Sequence, residues 1–171
     1  MTLRDLRQKE FADVWLKERH GVLNLCPRFG KCRTTINILE ELDNPSILIA
    51  YPDNKIKESW QNDFEERDYD TSRVTYTTHL SLKKYIDQEY DVVIIDEIHL
   101  LSEAQIEVCK ELFANNKQIL GLTGTLSMDS EINLEKELDI HVIAHYPIEK
   151  AINEGVIVDY EITVIRVPLD D

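Results

Sequence analysis

Short apolar runs alternate with amphipathic stretches along the whole chain. Residues 21–26, 47–51, 73–77, 92–95, 118–122 and 141–144 read as strands. Several are almost continuously apolar, as in Ile47-Leu48-Ile49-Ala50 and Val92-Val93-Ile94-Ile95, the pattern of strands covered on both faces rather than one. Between them, residues 3–17, 34–42, 56–64, 80–85 and 103–113 carry apolar positions at helical spacing, with Ser102 placed to open the last of these. Strand and helix in repeating order predict an α/β domain, a doubly wound, mainly parallel sheet with helices on both faces and right-handed crossovers.

Towards the end, residues 147–153 suggest a short helix stopping near Gly155, and residues 160–167 alternate apolar and polar side chains. That last stretch reads as an edge strand or as the start of a connection to a further domain, and the second reading is favoured. No repeat, low-complexity tract or Gly/Ser linker interrupts the pattern, so residues 1–171 are expected to form a single domain.

Composition changes this picture in two places. Cys26, Cys32 and Cys109 lack metal-type spacing, and no apolar run approaches bilayer length. The start carries no basic-then-apolar leader pattern, so a reducing, cytoplasmic setting without a membrane is expected. The formal net charge is −14, which opposes strong attraction to a polyanion and excludes a dedicated basic DNA-binding module.

Three short constellations carry candidate chemistry, each at the end of an expected strand. Cys26-Pro27-Arg28-Phe29-Gly30-Lys31-Cys32-Arg33 joins a strand to a helix, the setting in which backbone N–H groups and a lysine surround phosphate. Alone, Gly30-Lys31 would also suit a plain turn with a surface lysine. Asp96-Glu97-Ile98-His99 follows four aliphatic residues, so two carboxylates reach the carboxyl edge of the sheet, where ligands bind in open α/β folds. There Asp96 is placed to hold Mg²⁺ through water and Glu97 to orient an attacking water. Leu122-Thr123-Gly124-Thr125 ends another apolar run with two small hydroxyl side chains.

Taken together, and in this order, these segments resemble motifs I, II and III of superfamily 2 helicases of the DExH type. Further matches surround them. Leu3-Arg4-Asp5-Leu6-Arg7-Gln8 resembles the upstream element whose glutamine reads adenine. Ala50-Tyr51-Pro52 with Trp60 downstream is similar to motif Ia, and Thr75-Tyr76-Thr77-Thr78 to motif Ib. Residues 151–160 are similar to the segment that closes the first domain of many such translocases.

The resemblance implies a RecA-like P-loop domain that binds ATP and Mg²⁺ and forms the first half of a motor moving on or unwinding nucleic acid, DNA rather than RNA. Gln8 would contact adenine, residues Pro27 to Arg33 would line the nucleotide, and Lys31 would reach its β and γ phosphates. Asp96 would hold the metal and Glu97 the attacking water, while His99 would couple to Thr123 and Thr125. Pro52, Asp53, Asn54, Thr77 and Thr78 would lie along the nucleic-acid backbone. A second RecA-like domain, absent from these residues, would supply an arginine.

Two departures stand out. Arg28 and Phe29 replace the small residues usual in the loop, and Cys32 stands where Thr or Ser normally gives Mg²⁺ an oxygen. Sulfur suits this hard ion poorly. Cys32 therefore either leaves that coordination position to water or packs into the core. The same departures allow a non-catalytic nucleotide-binding module, and the motor subunit of a restriction or remodelling complex would carry the same motifs. His20, His79, His141 and His145 lack metal-ligand spacing and read as structural or surface groups.

Overall fold

The computed structural model describes residues 1–158. In chain order the elements are α1 (Leu3–Glu18), β1 (His20–Leu25), α2 (Lys31–Glu40), β2 (Ile47–Tyr51), α3 (Asn54–Glu66), β3 (Val74–Thr78), β4 (Val92–Ile95), α4 (Glu103–Asn115), β5 (Ile119–Thr123), α5 (Met128–Leu138), β6 (Val142–Tyr146) and α6 (Ile148–Asn153). Two 3-10 helices, His79–Tyr85 and Ile98–Leu100, follow β3 and β4. The alternating stretch at residues 160–167 lies outside the described residues.

The six strands form one sheet in the order β3-β2-β4-β5-β1-β6, and every neighbouring pair is parallel. The continuous apolar runs are explained by cover on both faces. In β2, Ile47, Ile49 and Tyr51 point into one core with α1, α2 and α3, while Leu48 and Ala50 point into the other with α4 and α5. β4 divides in the same way, Val92 and Ile94 against Val93 and Ile95. Period-two side-chain direction thus builds two cores from one sheet.

Local chemistry sets the helix ends. Thr2 and Asp5 form a reciprocal capping box on α1, and Ser102 and Gln105 form another on α4. Asp53 caps α3 by accepting from the Lys55 and Ile56 amides. The helix α5 is absent from the sequence expectation. Only Leu134 and Leu138 of it are buried, so its apolar stripe is thin. Its start is nevertheless marked by Ser127 at the cap and by Asp129 and Glu131 in the first turn.

The first and last described helices are tied together. Arg7 grips Glu154 with two nitrogens, at 3.1 and 2.5 Å, and the Tyr146 hydroxyl donates to the same carboxylate at 2.6 Å. The Arg7 bonds, then the Tyr146 hydroxyl, hold the Glu154 carboxyl at about 2, against an ordinary value of 4.5. A depressed acid stabilises the fold above its unfolded pKa, and that contribution is lost as pH falls through the folded value. Glu154→Gln should therefore melt below the parent at neutral pH, with the gap closing as pH falls from 4.5 towards 2. A gap in thermal melts that stays constant over this range would remove the ionised carboxylate from the account.

Candidate functional site

β5 lies between β1 and β4, so the carboxyl ends of three adjacent strands bring the three candidate segments to one place. Register holds them level. Asn24 pairs with Thr123 across β1 and β5, and Gly121 pairs with Ile95 across β5 and β4.

The loop after β1 is anchored by its own bulky residue. Phe29 is fully buried, with its ring 5.7 Å from Phe11 and 4.9 Å from Tyr146. Its side chain belongs to the core, leaving its backbone to face the loop. The Gln8 amide nitrogen donates to the Phe29 carbonyl at 2.9 Å, so this buried glutamine holds the loop from below. Arg4 donates to the Arg28 carbonyl at 2.6 Å and to the Val156 carbonyl at 2.6 Å, tying the loop to the chain beyond α6. Arg28 takes a left-handed backbone (φ 69°), a conformation in which a side chain costs roughly 1–2 kcal/mol, and its own side chain is exposed. Pro27 is half-buried beside it.

Gly30 (φ 102°) is the N-cap of α2 and offers no side-chain cap, so the first amides of this helix remain free for an anion. Lys31 is the first helical residue. Thr34 and Thr35 bond the carbonyls of Gly30 and Lys31 at 2.9 Å each, which commits both hydroxyls to the helix itself. Arg33 is exposed and pairs with Glu66.

Opposite this helix start, Lys31 Nζ stands 3.4 Å from Glu97 Oε1, and Glu97 Oε2 stands 3.6 Å from His99 Nε2. Glu97, too, is left-handed (φ 51°), a turn that swings its carboxylate back over the loop. The Thr123 hydroxyl lies 2.8 Å from His99 Nδ1 and the Thr125 hydroxyl 3.2 Å from His99 Nε2. The expected link between His99 and the two threonines is therefore present in the geometry.

Asp96 sits deeper, 4% exposed. Each of its carboxylate oxygens has one donor, the Glu97 amide on Oδ1 and the Trp60 indole on Oδ2, both at 2.9 Å. Burial raises its carboxyl to about 6, with Lys31 and the Trp60 N–H pulling the other way. Cys32 is partly buried at the edge of the core. Burial, with Asp96 and Asp63 nearby, lifts its thiol well above the usual range.

The candidate nucleic-acid residues divide. Asp53 and Asn54 are exposed and Pro52 is half-buried at the start of α3. Thr77 is buried, with its hydroxyl donating to the Thr78 carbonyl at 3.2 Å. The Thr78 hydroxyl accepts from the Ser81 amide at 3.3 Å.

One residue of the site escaped the sequence reading. His79, set aside there with the structural and surface histidines, is buried, and its Nε2 lies 2.8 Å from the Asp96 carbonyl oxygen. A carbonyl only accepts, so Nε2 carries the proton, and burial lowers the imidazole pKa and keeps it neutral. Its position directly after Thr77-Thr78 was the available signal.

This strand order, with an uncapped helix start and lysine facing an Asp-Glu-x-His turn, defines the N-terminal RecA-like domain of superfamily 2 helicases and translocases. The family model described as "Type III restriction enzyme, res subunit" matches residues 1–128, and the chain belongs to that family. It is 26% identical over 141 residues to a DNA 3'-5' translocase, XPB2, of Sulfurisphaera tokodaii, an alignment covering 74% of this chain and 31% of the relative. The chain thus spans about a third of the length of that curated relative. Among solved structures, the UvsW helicase of bacteriophage T4 has a similar fold (TM-score 0.63, 19% identity, 81% of this chain and 59% of that one). So does the Sulfolobus solfataricus SWI2/SNF2 ATPase core in complex with dsDNA (TM-score 0.54, 21% identity, 70% of this chain and 31% of that one). Among the described residues no helix is long and apolar enough to cross a membrane.

Gly124 is the point where the third segment presses on the first. A Cβ at this position would stand 2.7 Å from the Leu25 carbonyl oxygen and 3.2 Å from the Pro27 nitrogen, both backbone atoms. Gly124→Ala should cost on the order of 1–3 kcal/mol, the usual penalty for overpacking. Chemical denaturation checks this, and an alanine variant as stable as the parent would mean that the two segments are not in close contact.

Proposed function

We propose that this chain is the ATP-binding first motor domain of a DNA helicase or translocase. The observation that carries the reading is the Lys31–Glu97–His99–Thr123/Thr125 set, in which a phosphate-type lysine and a water-orienting glutamate meet at an uncapped helix start.

The residues fit such a ligand. The free amides of α2 favour an anion, and Lys31 adds a full charge. Asp96 retains acceptor capacity on both carboxylate oxygens beyond the donors from Glu97 and Trp60, which suits Mg²⁺ held directly or through water. Cys32 does not suit it, since burial keeps its thiol protonated and sulfur is a poor ligand for this hard ion. Water in place of the usual hydroxyl is the consistent arrangement. When bound, Mg-ATP supplies a phosphoanhydride bond whose developing charge the metal offsets.

The chain's own residues then divide the work. Lys31 neutralises phosphate charge. Glu97, released from Lys31 by that competing anion, orients a water and accepts its proton. His99 holds Glu97 in register with Thr123 and Thr125, so a change at the nucleotide reaches the end of β5. Gln8 and Arg4 keep the loop backbone in place, and Gln8 retains a free amide oxygen for the base.

An arginine from a second RecA-like domain is worth about 10³ to 10⁵ in rate where such residues have been removed or supplied, so this chain alone turns over slowly. Its net charge of −14 keeps its own DNA affinity weak. The DNA translocase XPB2 and the dsDNA bound to the SWI2/SNF2 ATPase core support DNA as the track. Isothermal titration with Mg-ATP tests the reading. Lys31→Ala should lose about 1.5–3 kcal/mol of binding free energy, roughly 10- to 150-fold in affinity, because a charge-assisted phosphate contact is removed. Equal affinity in the variant and the parent would sink it.

A further inference from the structure

Two buried side chains converge on Asp96, one from α3 and one from the 3-10 helix after β3. Trp60 lies one and a half to two turns into α3, whose cap is Asp53 and whose start carries Pro52 and Asn54. His79 directly follows Thr78 at the end of β3 and opens the 3-10 helix. Trp60 donates to the Asp96 carboxylate and His79 to the Asp96 carbonyl, at 2.9 and 2.8 Å.

An ordinary structural role for a buried indole looks different, and the chain itself provides the comparison. Trp15 is equally buried, and its indole donates to a main-chain carbonyl, that of Ile119, inside the core. Trp60 instead spends its only donor on the one buried carboxylate at the strand ends. Its neighbour one turn on, Asp63, lies on the same face of α3, near Cys32 on α2. One face of α3 therefore lies towards both candidate metal-side positions, Cys32 and Asp96. The 3-10 helix after β3 fixes the backbone of Asp96 from the other side.

We propose that Trp60 and His79 are positioning residues that carry strand contact, made at residues 52–54 and 78, to the metal-side carboxylate of Asp96. The inference rests on the nucleotide reading above and on the strand contacts that the family resemblance implies for Pro52, Asp53, Asn54 and Thr78. Side chains of both elements end on the same residue, so a shift of α3 or of the 3-10 helix changes the aim of Asp96. Neither side chain touches nucleotide, metal or nucleic acid itself. The effect is read in how strongly Mg²⁺ and a strand assist nucleotide binding, while metal-free affinity depends on the loop and Lys31.

The test measures ADP affinity of the 171-residue chain by titration, in Mg²⁺ and in EDTA, with and without saturating single-stranded oligodeoxynucleotide at low salt. In the parent, Mg²⁺ should tighten binding and the oligonucleotide should change the Mg-ADP affinity by roughly fivefold or more. Trp60→Phe keeps the ring and loses the donor, and His79→Leu loses the other donor. Both should keep EDTA affinity, which also shows that they fold, while the oligonucleotide effect disappears. His79→Gln restores a donor near the same position and should recover it. A parent unmoved by the oligonucleotide, or variants that respond like the parent, would overturn the inference and leave the nucleotide reading standing. A parent that binds no ADP in either condition overturns both. An independent readout uses Trp60 itself. In Trp15→Phe it is the remaining tryptophan, and its emission should shift when oligonucleotide is added without nucleotide. An unchanged spectrum at saturation counts against the inference.

Discussion

The whole arrangement depends on all six strands running the same way. In a parallel sheet every carboxyl end lies on one edge, so side chains that follow β1, β4 and β5 must meet there, however far apart they are in sequence. Placing β5 between β1 and β4 tightens this further. Gly124 comes against the Leu25 carbonyl, and His99 comes within reach of both Thr123 and Thr125. The covering helices make that edge dry on the inside, which is why Asp96 can be both buried and aimed.

Such an edge works against local comfort, and the surrounding packing sustains it. Arg28 and Glu97 sit in left-handed backbone without being glycine, and Asp96 is a carboxylate with little water. Each is held by a specific contact. Arg4 captures the Arg28 carbonyl, Lys31 faces Glu97, and Trp60 with the Glu97 amide satisfies Asp96. Phe29 is the most instructive case. At a loop position where small residues are usual, a full aromatic ring is accommodated because it turns inward onto Phe11 and Tyr146, so the loop gains an anchor.

Much of this was legible in the sequence. Four-residue aliphatic runs such as 92–95 gave away strands buried on both faces, because no polar residue interrupts them. That Gly30-Lys31 and Asp96-Glu97-Ile98-His99 would meet at one sheet edge was legible because each follows an apolar strand in the strand-loop-helix order. The fine placement was not. Sequence spacing does not say that Thr34 and Thr35 close on their own helix, that Thr77 turns inward, or that Gln8 spends its amide nitrogen on the loop. Those outcomes depend on which acceptor is nearest in three dimensions. The burial of His79 was hidden for the same reason, since its partner is a main-chain carbonyl seventeen residues away. The helix α5 was missed because it buries only two leucines and so shows little periodicity.

The central claim is that three separated strand ends form one nucleotide site. Hydrogen exchange followed by mass spectrometry, with and without Mg-ADP, tests it most directly, because backbone amides report each segment separately. The account predicts slower exchange on adding nucleotide in residues 27–32, 96–99 and 123–125 together, with the amides that open α2 protected most. Protection confined to one of these segments, or falling elsewhere on the sheet, would contradict it.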